Sequence, residues 1–171
     1  PTPAPSPKPS LKTWPAHTER PVIMPLSNPT AKAEALPTDL IAWTDGRVLT
    51  ASGSPFEPVT HNGTTYQIAQ AKNALVFPGL GLGVAVSQAT RISDRMIAAA
   101  ADALATLSDS TTLGAPLLPP MTGLRTVSAA VAAAVATAAA DEGLAQADLP
   151  DPIQQIHDAM WRPEYPTIEL K

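Results

Sequence analysis

Two asparagines are the residues of this sequence whose type and position most favour ligand binding. Asn28 lies in Leu26-Ser27-Asn28-Pro29-Thr30, just beyond a predicted strand, and ligands of open α/β sheets bind outside the carboxyl ends of strands. Asn73 begins a predicted helix, where backbone N–H groups and a side-chain amide can face an anion together. Each asparagine also has a simpler interpretation, a turn before Pro29 for Asn28 and an N-cap for Asn73. Because amides carry no charge, both residues predict binding and orientation rather than proton transfer.

Other groups capable of chemistry are scattered or absent. His17, His61 and His157 are far apart in the sequence, and a metal site needs converging ligands. The run Gly79-Leu80-Gly81-Leu82-Gly83 has G-x-G-x-G spacing, not the G-x-G-x-x-G of a dinucleotide-binding loop, so we interpret it as a helix in close contact with its neighbours. There is no Cys, no G-x-S-x-G motif and no carboxylate pair placed for acid–base work. We therefore predict neither a catalytic residue nor a metal ligand in this chain.

The elements that position the two asparagines indicate the α/β class. A short apolar run predicts a strand over 22–26, Pro37 and Asp39 suit the first turn of a helix over 37–44, and 47–51 is a second strand. Strand, helix and strand within about thirty residues are typical of a parallel βαβ unit with a right-handed crossover. Residues 64–68 suit a short edge strand after the turn His61-Asn62-Gly63.

The second half of the chain is predicted to be helical. Four helices are expected. The first covers 74–89, the second begins after an N-cap at Ser93, the third covers 124–142 and ends before Gly143, and the last covers 152–161. The sequence predicts two strands of a parallel sheet and about five helices. A sheet of only two strands would have uncovered edges and faces. We therefore expect the sheet to continue in residues outside this sequence.

Composition limits the function classes. The chain has 171 residues, a formal net charge of −4 and 44% hydrophobic residues, and its pI near 5.2 gives no electrostatic footprint for nucleic acid. Of the 20 prolines, nine fall in the first 29 residues, so we expect a disordered arm over 1–20. The apolar stretch 126–140 is shorter than the ~20 residues of a membrane span. No segment resembles a targeting signal. The absence of Cys is compatible with the cytoplasm. Since the first residue is Pro, we expect a processed product or a piece of a longer protein.

From Pro21 onward the sequence strongly resembles the malic enzymes. The resemblance is carried by motifs in family order: Pro21-Val22-Ile23-Met24-Pro25-Leu26-Ser27-Asn28-Pro29-Thr30, Ala33-Glu34-Ala35, Trp43-Thr44-Asp45-Gly46-Arg47, Ala51-Ser52-Gly53-Ser54-Pro55-Phe56, Gln70 with Asn73, Phe77 to Gly83, Arg91-Ile92-Ser93-Asp94, Leu118-Pro119-Pro120 and Trp161-Arg162-Pro163-Glu164-Tyr165. It covers about 150 residues and excludes Pro1 to about Pro15.

The resemblance implies the fold and the activity. Malic enzymes oxidise L-malate with NAD or NADP and a divalent metal, Mn or Mg, and decarboxylate it to pyruvate and CO₂. The chain looks like part of the NAD(P)-binding domain over 21–143, the C-terminal half of a Rossmann-like unit, with a helical tail over 144–171. The family's metal ligands, catalytic Lys and Tyr and first glycine-rich loop would lie upstream, so we expect a cytoplasmic enzyme fragment that is inactive alone, works with a missing N-terminal half and is a homo-oligomer when complete.

The resemblance also assigns roles to three residues. Asn28 matches the family asparagine that contacts malate and the nicotinamide ribose, and Asn73 matches the second Asn of a Gln-x-Asn-Asn motif that binds the substrate carboxylate. The first Asn of that pair is Lys72 here. Gly53 matches a glycine that lines the cofactor crevice.

Three alternatives remain open at the level of sequence. A malolactic-type enzyme shares the fold, but its typical Thr-Gly-Ile-Pro stretch is Ser52-Gly53-Ser54-Pro55 here. The chain also suits a non-catalytic NAD-binding module or a structural piece that assembles with a separately encoded half. The choice between NAD and NADP depends on residues that read the ribose 2′ position, which would lie upstream.

Overall fold

The computed structural model describes residues 18–162. Their elements are strands β1 (Val22–Ile23), β2 (Leu49–Ser52), β3 (Val59–His61), β4 (Thr64–Tyr66) and β5 (Ala69–Gln70), and helices α1 (Pro37–Trp43), α2 (Phe77–Ser87), α3 (Asp94–Thr106), α4 (Leu124–Asp141) and α5 (Pro152–Ala159). Short 3₁₀ turns cover Thr30–Lys32, Asn73–Leu75 and Met121–Gly123. Most of the predicted arm, the motif residues Pro163 to Tyr165 and His17 lie outside the described residues.

A parallel three-stranded sheet confirms the predicted βαβ unit. Its strand order is β1-β2-β5, with Val22 opposite Leu49 and Ala51 opposite Ala69. Helix α1 connects the first two strands, and Pro37 stands at its start as expected. The sequence did not predict β5, a two-residue strand that extends the sheet beyond β2.

The loop between β2 and β5 contains an antiparallel hairpin of β3 and β4. Its turn is Asn62-Gly63, and both residues have positive φ, which matches the preference of hairpin turns for Asn-Gly. The strand expected over 64–68 is therefore β4, paired with β3 in a separate two-stranded sheet.

Three separate apolar clusters stabilise the described residues, and the smallest, made of Ala132, Ile156 and Met160, lies between α4 and α5. The sheet cluster packs α1 against the sheet and the hairpin, and its buried members are Ile23, Leu40, Ile41, Val48 and Tyr66. The helical cluster lies between α2, α3 and α4, and its buried members are Leu75, Leu80, Met96, Ala100, Leu104, Val127, Val131, Val135, Ala138 and Ala139. The predicted cap of α3 is confirmed, because the Ser93 hydroxyl accepts a hydrogen bond of 3.1 Å from the Met96 N–H.

The glycine run of α2 lets this helix approach α4 closely. This agrees with the interpretation of the run as a helix in close contact with its neighbours. A Cβ on Gly79 would lie 2.6 Å from the Val131 Cβ, and one on Gly83 would lie 2.6 Å from the Ala132 carbonyl oxygen. A Cβ on Gly81 would meet no atom within 4 Å. Two of the three glycines therefore serve the contact between the helices.

The helical segment Met121–Asp141 corresponds to the helix predicted over 124–142 and is longer than the apolar stretch 126–140, which by itself is too short for a membrane span. By length and composition alone it could cross a membrane, with 21 residues and a mean hydropathy of 1.4. Core helices of soluble proteins pass the same test, and the buried face of this segment packs against α2 and α3 through Val127, Val131 and Val135. Packing rather than length therefore favours the interpretation as a core helix.

One face of β1 and the residues that follow it is not covered by the described part of the chain. Val22, Met24 and Leu26 are 54%, 40% and 51% exposed, whereas the intervening Ile23 is buried under α1. Exposed apolar side chains at every second residue mark a sheet face that lacks its second layer. The predicted α/β fold with an incomplete sheet is confirmed.

Candidate functional site

The carboxyl ends of β1, β2 and β5 meet at one edge of the sheet and line a single cavity of about 810 Å³. Asn28 follows β1, Gly53 follows β2, and Lys72 and Asn73 follow β5. All four line the cavity. The structure therefore brings together the three site residues predicted from sequence, although up to 45 positions separate them along the chain.

Ser54, which sequence reasoning did not identify as a site residue, holds Asn28 in place. The buried Ser54 hydroxyl donates a hydrogen bond of 2.7 Å to Oδ1 of Asn28. The Asn28 Nδ2 donates only a long contact of 3.5 Å to the Leu26 carbonyl oxygen. With Oδ1 engaged and Nδ2 weakly held, Asn28 can present an N–H donor to a ligand.

A second contact fixes the loop before Asn28. Ser27 donates to Glu34 twice, from its hydroxyl to Oε1 at 2.5 Å and from its backbone N–H to Oε2 at 3.3 Å. The Ser27 hydroxyl is the main cause that lowers the pKa of Glu34 below its ordinary value. The carboxylate therefore stays ionised near neutral pH and anchors the backbone next to Asn28.

Gly53 is required by the protein backbone itself. A Cβ at this position would lie 2.2 Å from the Leu26 carbonyl oxygen, a distance that no side chain tolerates. Its N–H donates to the Pro25 carbonyl at 3.0 Å and its carbonyl accepts from the Gln70 Nε2 at 3.2 Å. Gly53 therefore lets the ends of β1 and β2 come together, and its predicted place beside the cofactor stays a prediction.

Asn73 is not the N-cap that its position suggested. Lys72 occupies the cap position of the 3₁₀ turn, without a side-chain cap hydrogen bond, and Asn73 is the first residue of the turn. Backbone bonds from Ala71 to Ser52 (2.8 Å) and from Leu75 to Lys72 (3.0 Å) hold this segment between β5 and α2. Within residues 18–162 the exposed Asn73 amide has no hydrogen-bond partner, so it is available to a ligand.

The remaining cavity wall is largely apolar. Met24, Leu26 and Phe77, all at least 40% exposed, lie on the open side, and Leu75, Leu104 and Leu118 from the helical part lie deeper. A mostly apolar cavity with a few converging polar groups is typical of small-molecule and cofactor sites.

The histidines of the described residues lie outside this cavity. Within 18–162, no group of three His, Asp or Glu side chains is placed to hold a metal ion. The His61 Nε2 lies 3.4 Å from the Asp45 Oδ1 near the hairpin turn, and His157 lines a separate cavity of about 360 Å³ between α4 and α5. The two histidines thus lie apart from the cavity.

Comparisons with known proteins place this architecture in a family. The family model "Malic enzyme, NAD binding domain" matches residues 8–140. The chain is 52% identical over 158 residues to NAD-dependent malic enzyme 3 of Bacillus subtilis (strain 168) and 48% identical over 151 residues to the NAD-dependent malic enzyme of Aliivibrio salmonicida (strain LFI1238). These alignments cover 92% and 87% of this chain but only 28% and 27% of the relatives. The chain therefore spans somewhat more than a quarter of the length of the curated relatives it matches.

Solved structures agree on the fold. The crystal structure of the Entamoeba histolytica malic enzyme aligns with a TM-score of 0.70 at 24% identity and covers 92% of this chain and 29% of that one. The malic enzyme from Pyrococcus horikoshii Ot3 aligns with a TM-score of 0.57 at 28% identity, over 80% of this chain and 29% of that one. The resemblance drawn from the sequence motifs is confirmed: the chain belongs to the malic enzyme family and matches its NAD-binding domain.

Proposed function

We propose that this chain supplies one side of the active site of an NAD-dependent malic enzyme. The reaction is the oxidative decarboxylation of L-malate to pyruvate and CO₂ with reduction of NAD. The observation that carries the proposal is the convergence of Asn28, Gly53 and Asn73 on one cavity at the carboxyl ends of three adjacent parallel strands.

The donor set of the cavity fits the nicotinamide side of a dinucleotide. The weakly held Nδ2 of Asn28 offers an N–H to a ribose hydroxyl, and the apolar wall at Leu26 and Phe77 suits an aromatic ring. When bound, NAD accepts the hydride from the substrate carbon. The relatives' names favour NAD over NADP.

The amides suit malate because they bind without competing for its protons. Neither Asn28 nor Asn73 titrates near neutral pH, so each orients a carboxylate or hydroxyl without taking part in proton transfer. Asn73 offers an amide that the described residues leave free. Orientation of the substrate next to the cofactor is a large part of what such a site contributes to rate.

The described residues do not fit a divalent metal, since no group of three acidic or histidine side chains converges within 18–162. We therefore assign the Mn or Mg ligands, together with the catalytic Lys and Tyr, to the other part of the enzyme, and derive no step of the reaction through the metal. That other part is the principal partner of this chain. The complete enzyme is proposed to be a cytoplasmic homo-oligomer.

The test is malate-dependent NADH formation with Mn²⁺, measured for the 171-residue chain alone and joined to its N-terminal part. We expect activity from the joined protein and none from the chain alone, because hydride transfer needs both sides of the site in fixed geometry. A joined protein that binds NAD but does not oxidise malate would contradict the proposal. Formation of lactate without net NADH would indicate the malolactic reaction instead.

A further inference from the structure

We propose that Lys72 is a substrate-specificity residue, whose ammonium group binds one carboxylate of a dicarboxylate while the Asn73 amide binds nearby. This inference rests on the proposed function, because it concerns the ligand of the same cavity. It names the chemical class that the cavity selects: dianions over monoanions of similar size.

The charge of the cavity lining carries the inference. The lining residues are Met24, Leu26, Asn28, Gly53, Ala71, Lys72, Asn73, Ala74, Leu75, Val76, Phe77, Leu104 and Leu118. In this set Lys72 alone has a charged side chain, and no carboxylate accompanies it. Within the described residues its ammonium group has no ion-pair or hydrogen-bond partner. A cation at an apolar cavity without an internal counter-ion favours an external anion.

The backbone holds Lys72 where such an anion would lie. Its φ and ψ of −124° and 143° are extended, and its carbonyl accepts from the Leu75 N–H at 3.0 Å. The preceding residue is tied to β2 by the bond of 2.8 Å from the Ala71 N–H to the Ser52 carbonyl. Lys72 and Asn73 are adjacent and both line the cavity, so both residues lie next to a ligand bound there. A charge-assisted contact and an amide contact together suit a small polycarboxylate.

The family motif provides a substitution to compare with Lys72. The family motif has Asn where this chain has Lys72, so Lys72→Asn replaces the ammonium by an amide in an otherwise unchanged segment. The departure adds a positive charge without removing the Asn73 amide. Lys72→Met removes the charge and keeps most of the aliphatic stem, and Lys72→Arg keeps the charge.

The experiment measures inhibition of malate oxidation in the joined enzyme by succinate, a dianion, and by butyrate, a monoanion of equal carbon number. We expect Lys72→Met to raise the malate KM and the succinate Ki by roughly 3- to 10-fold. This range lies between the effect of losing an exposed charge pair and that of losing a desolvated one. The butyrate Ki should rise less than the succinate Ki, because a monoanion can bind through the Asn73 amide alone, and the NAD KM should stay within about twofold. Lys72→Arg should restore most of the succinate preference. Arg91→Met, at an exposed position outside the cavity, is the matched control for loss of one positive charge.

Three results would overturn the inference. Equal effects of Lys72→Met on succinate and butyrate would show that its charge does not select dianions. A change in the NAD KM alone would place the ammonium on the cofactor, and a lowered melting temperature with unchanged inhibition constants would indicate a structural role only.

Failure of the proposed function is a separate outcome. If the joined enzyme oxidises no malate, equilibrium dialysis of succinate and butyrate against the joined protein and its Lys72→Met variant decides the inference. Preferential succinate binding that the substitution abolishes would support it, and the absence of any such preference in the joined wild-type protein would contradict it.

Discussion

The Ser54 hydroxyl donates a hydrogen bond of 2.7 Å to Oδ1 of Asn28, across 26 residues of sequence. This bond selects one orientation of the Asn28 amide, with Oδ1 on the buried serine and Nδ2 3.5 Å from the Leu26 carbonyl oxygen. It exists because β1 and β2 are parallel neighbours and both residues follow their strand ends. Ser54 is therefore a positioning residue for Asn28.

Removing that hydroxyl tests the positioning role. Ser54→Ala should raise the KM for malate and for NAD by about 2- to 10-fold, the range for one neutral hydrogen bond. Steady-state kinetics of the joined enzyme provides the measurement. Ser110→Ala, the same chemical change in a loop away from the cavity, is the control and should leave both constants unchanged. Unaltered kinetics of Ser54→Ala would mean that Asn28 holds its orientation without the serine.

The two asparagines should differ in which ligand they affect. We expect Asn73→Ala mainly to weaken malate use and Asn28→Ala to weaken both malate and NAD, each by roughly ten- to a hundredfold, the value for a donor to a charged group. Gln146→Ala, an exposed amide outside the cavity, is the control.

An isosteric change sharpens the assignment for Asn28. Asn28→Asp keeps an acceptor for Ser54 but replaces the Nδ2 donor by oxygen. We expect it to impair malate and NAD use at least as strongly as Asn28→Ala. Near-normal kinetics of the aspartate variant would exclude donation from Nδ2 as the function of this residue. For the neighbouring pair, Lys72→Asn should change the malate KM less than Asn73→Ala does, and the opposite order would mean that the assignment from the family motif is off by one residue.

Gly53 should be intolerant of any side chain. The added Cβ of Gly53→Ala would lie 2.2 Å from the Leu26 carbonyl oxygen, so the strand ends must separate, and we expect a loss of about 1–3 kcal/mol in unfolding free energy. Urea unfolding of the joined enzyme measures it. Gly123→Ala, where a Cβ meets nothing within 4 Å, is the control. Equal stability of the two variants would show that the β1–β2 junction relaxes freely.

The three glycines of α2 form an internal comparison. Gly79→Ala and Gly83→Ala should each destabilise the fold by about 1–3 kcal/mol, because the new methyl group overlaps α4. Gly81→Ala should be neutral or stabilise by about 0.5–1 kcal/mol, since the site is open and Ala favours the helix. Urea unfolding again provides the measurement. A uniform effect at all three positions would indicate that helix propensity, not packing, dominates.

Asp109 should titrate at unusually low pH. Hydrogen bonds from the side chains of Thr111, first, and Thr112 lower the pKa of this exposed carboxyl from 3.8 to about 2. Because the folded pKa is below the unfolded one, the contribution to stability is present above pH 3.8 and is lost as the pH falls through about 2. NMR titration of the carboxyl carbon should show the low midpoint in the wild type and a return toward 3.8 when Thr111 and Thr112 are both changed to Val. An unchanged midpoint in this double variant would show that the two threonine hydroxyls do not lower the pKa of Asp109.

Sequence patterns correctly predicted the features that depend only on residues close together in the chain. Pro37 at the start of α1, Ser93 as the cap of α3 and the apolar stripe of α4 each depend on residues within a few turns of helix. Strand β5 was missed because Ala69–Gln70 has two residues and no apolar run, so only its pairing with β2 defines it. The motif that contains Ser54 was recognised, but its bond to Asn28 depends on strand register, which no local pattern specifies.

The cavity lies between the strand ends of the sheet and the helical cluster, and this position has a thermodynamic consequence. Asn28 and Gly53 extend from the sheet, whereas Leu75, Leu104 and Leu118 belong to the helical cluster or pack against it. A ligand bound there is lost when either body opens, so its binding energy opposes local unfolding of both. At a hundred times its Kd, a ligand adds about 2.7 kcal/mol to the stability of the state that binds it. A ligand in this cavity would therefore stabilise the sheet and the helical part together, and amide hydrogen exchange in both should slow when the cavity is occupied.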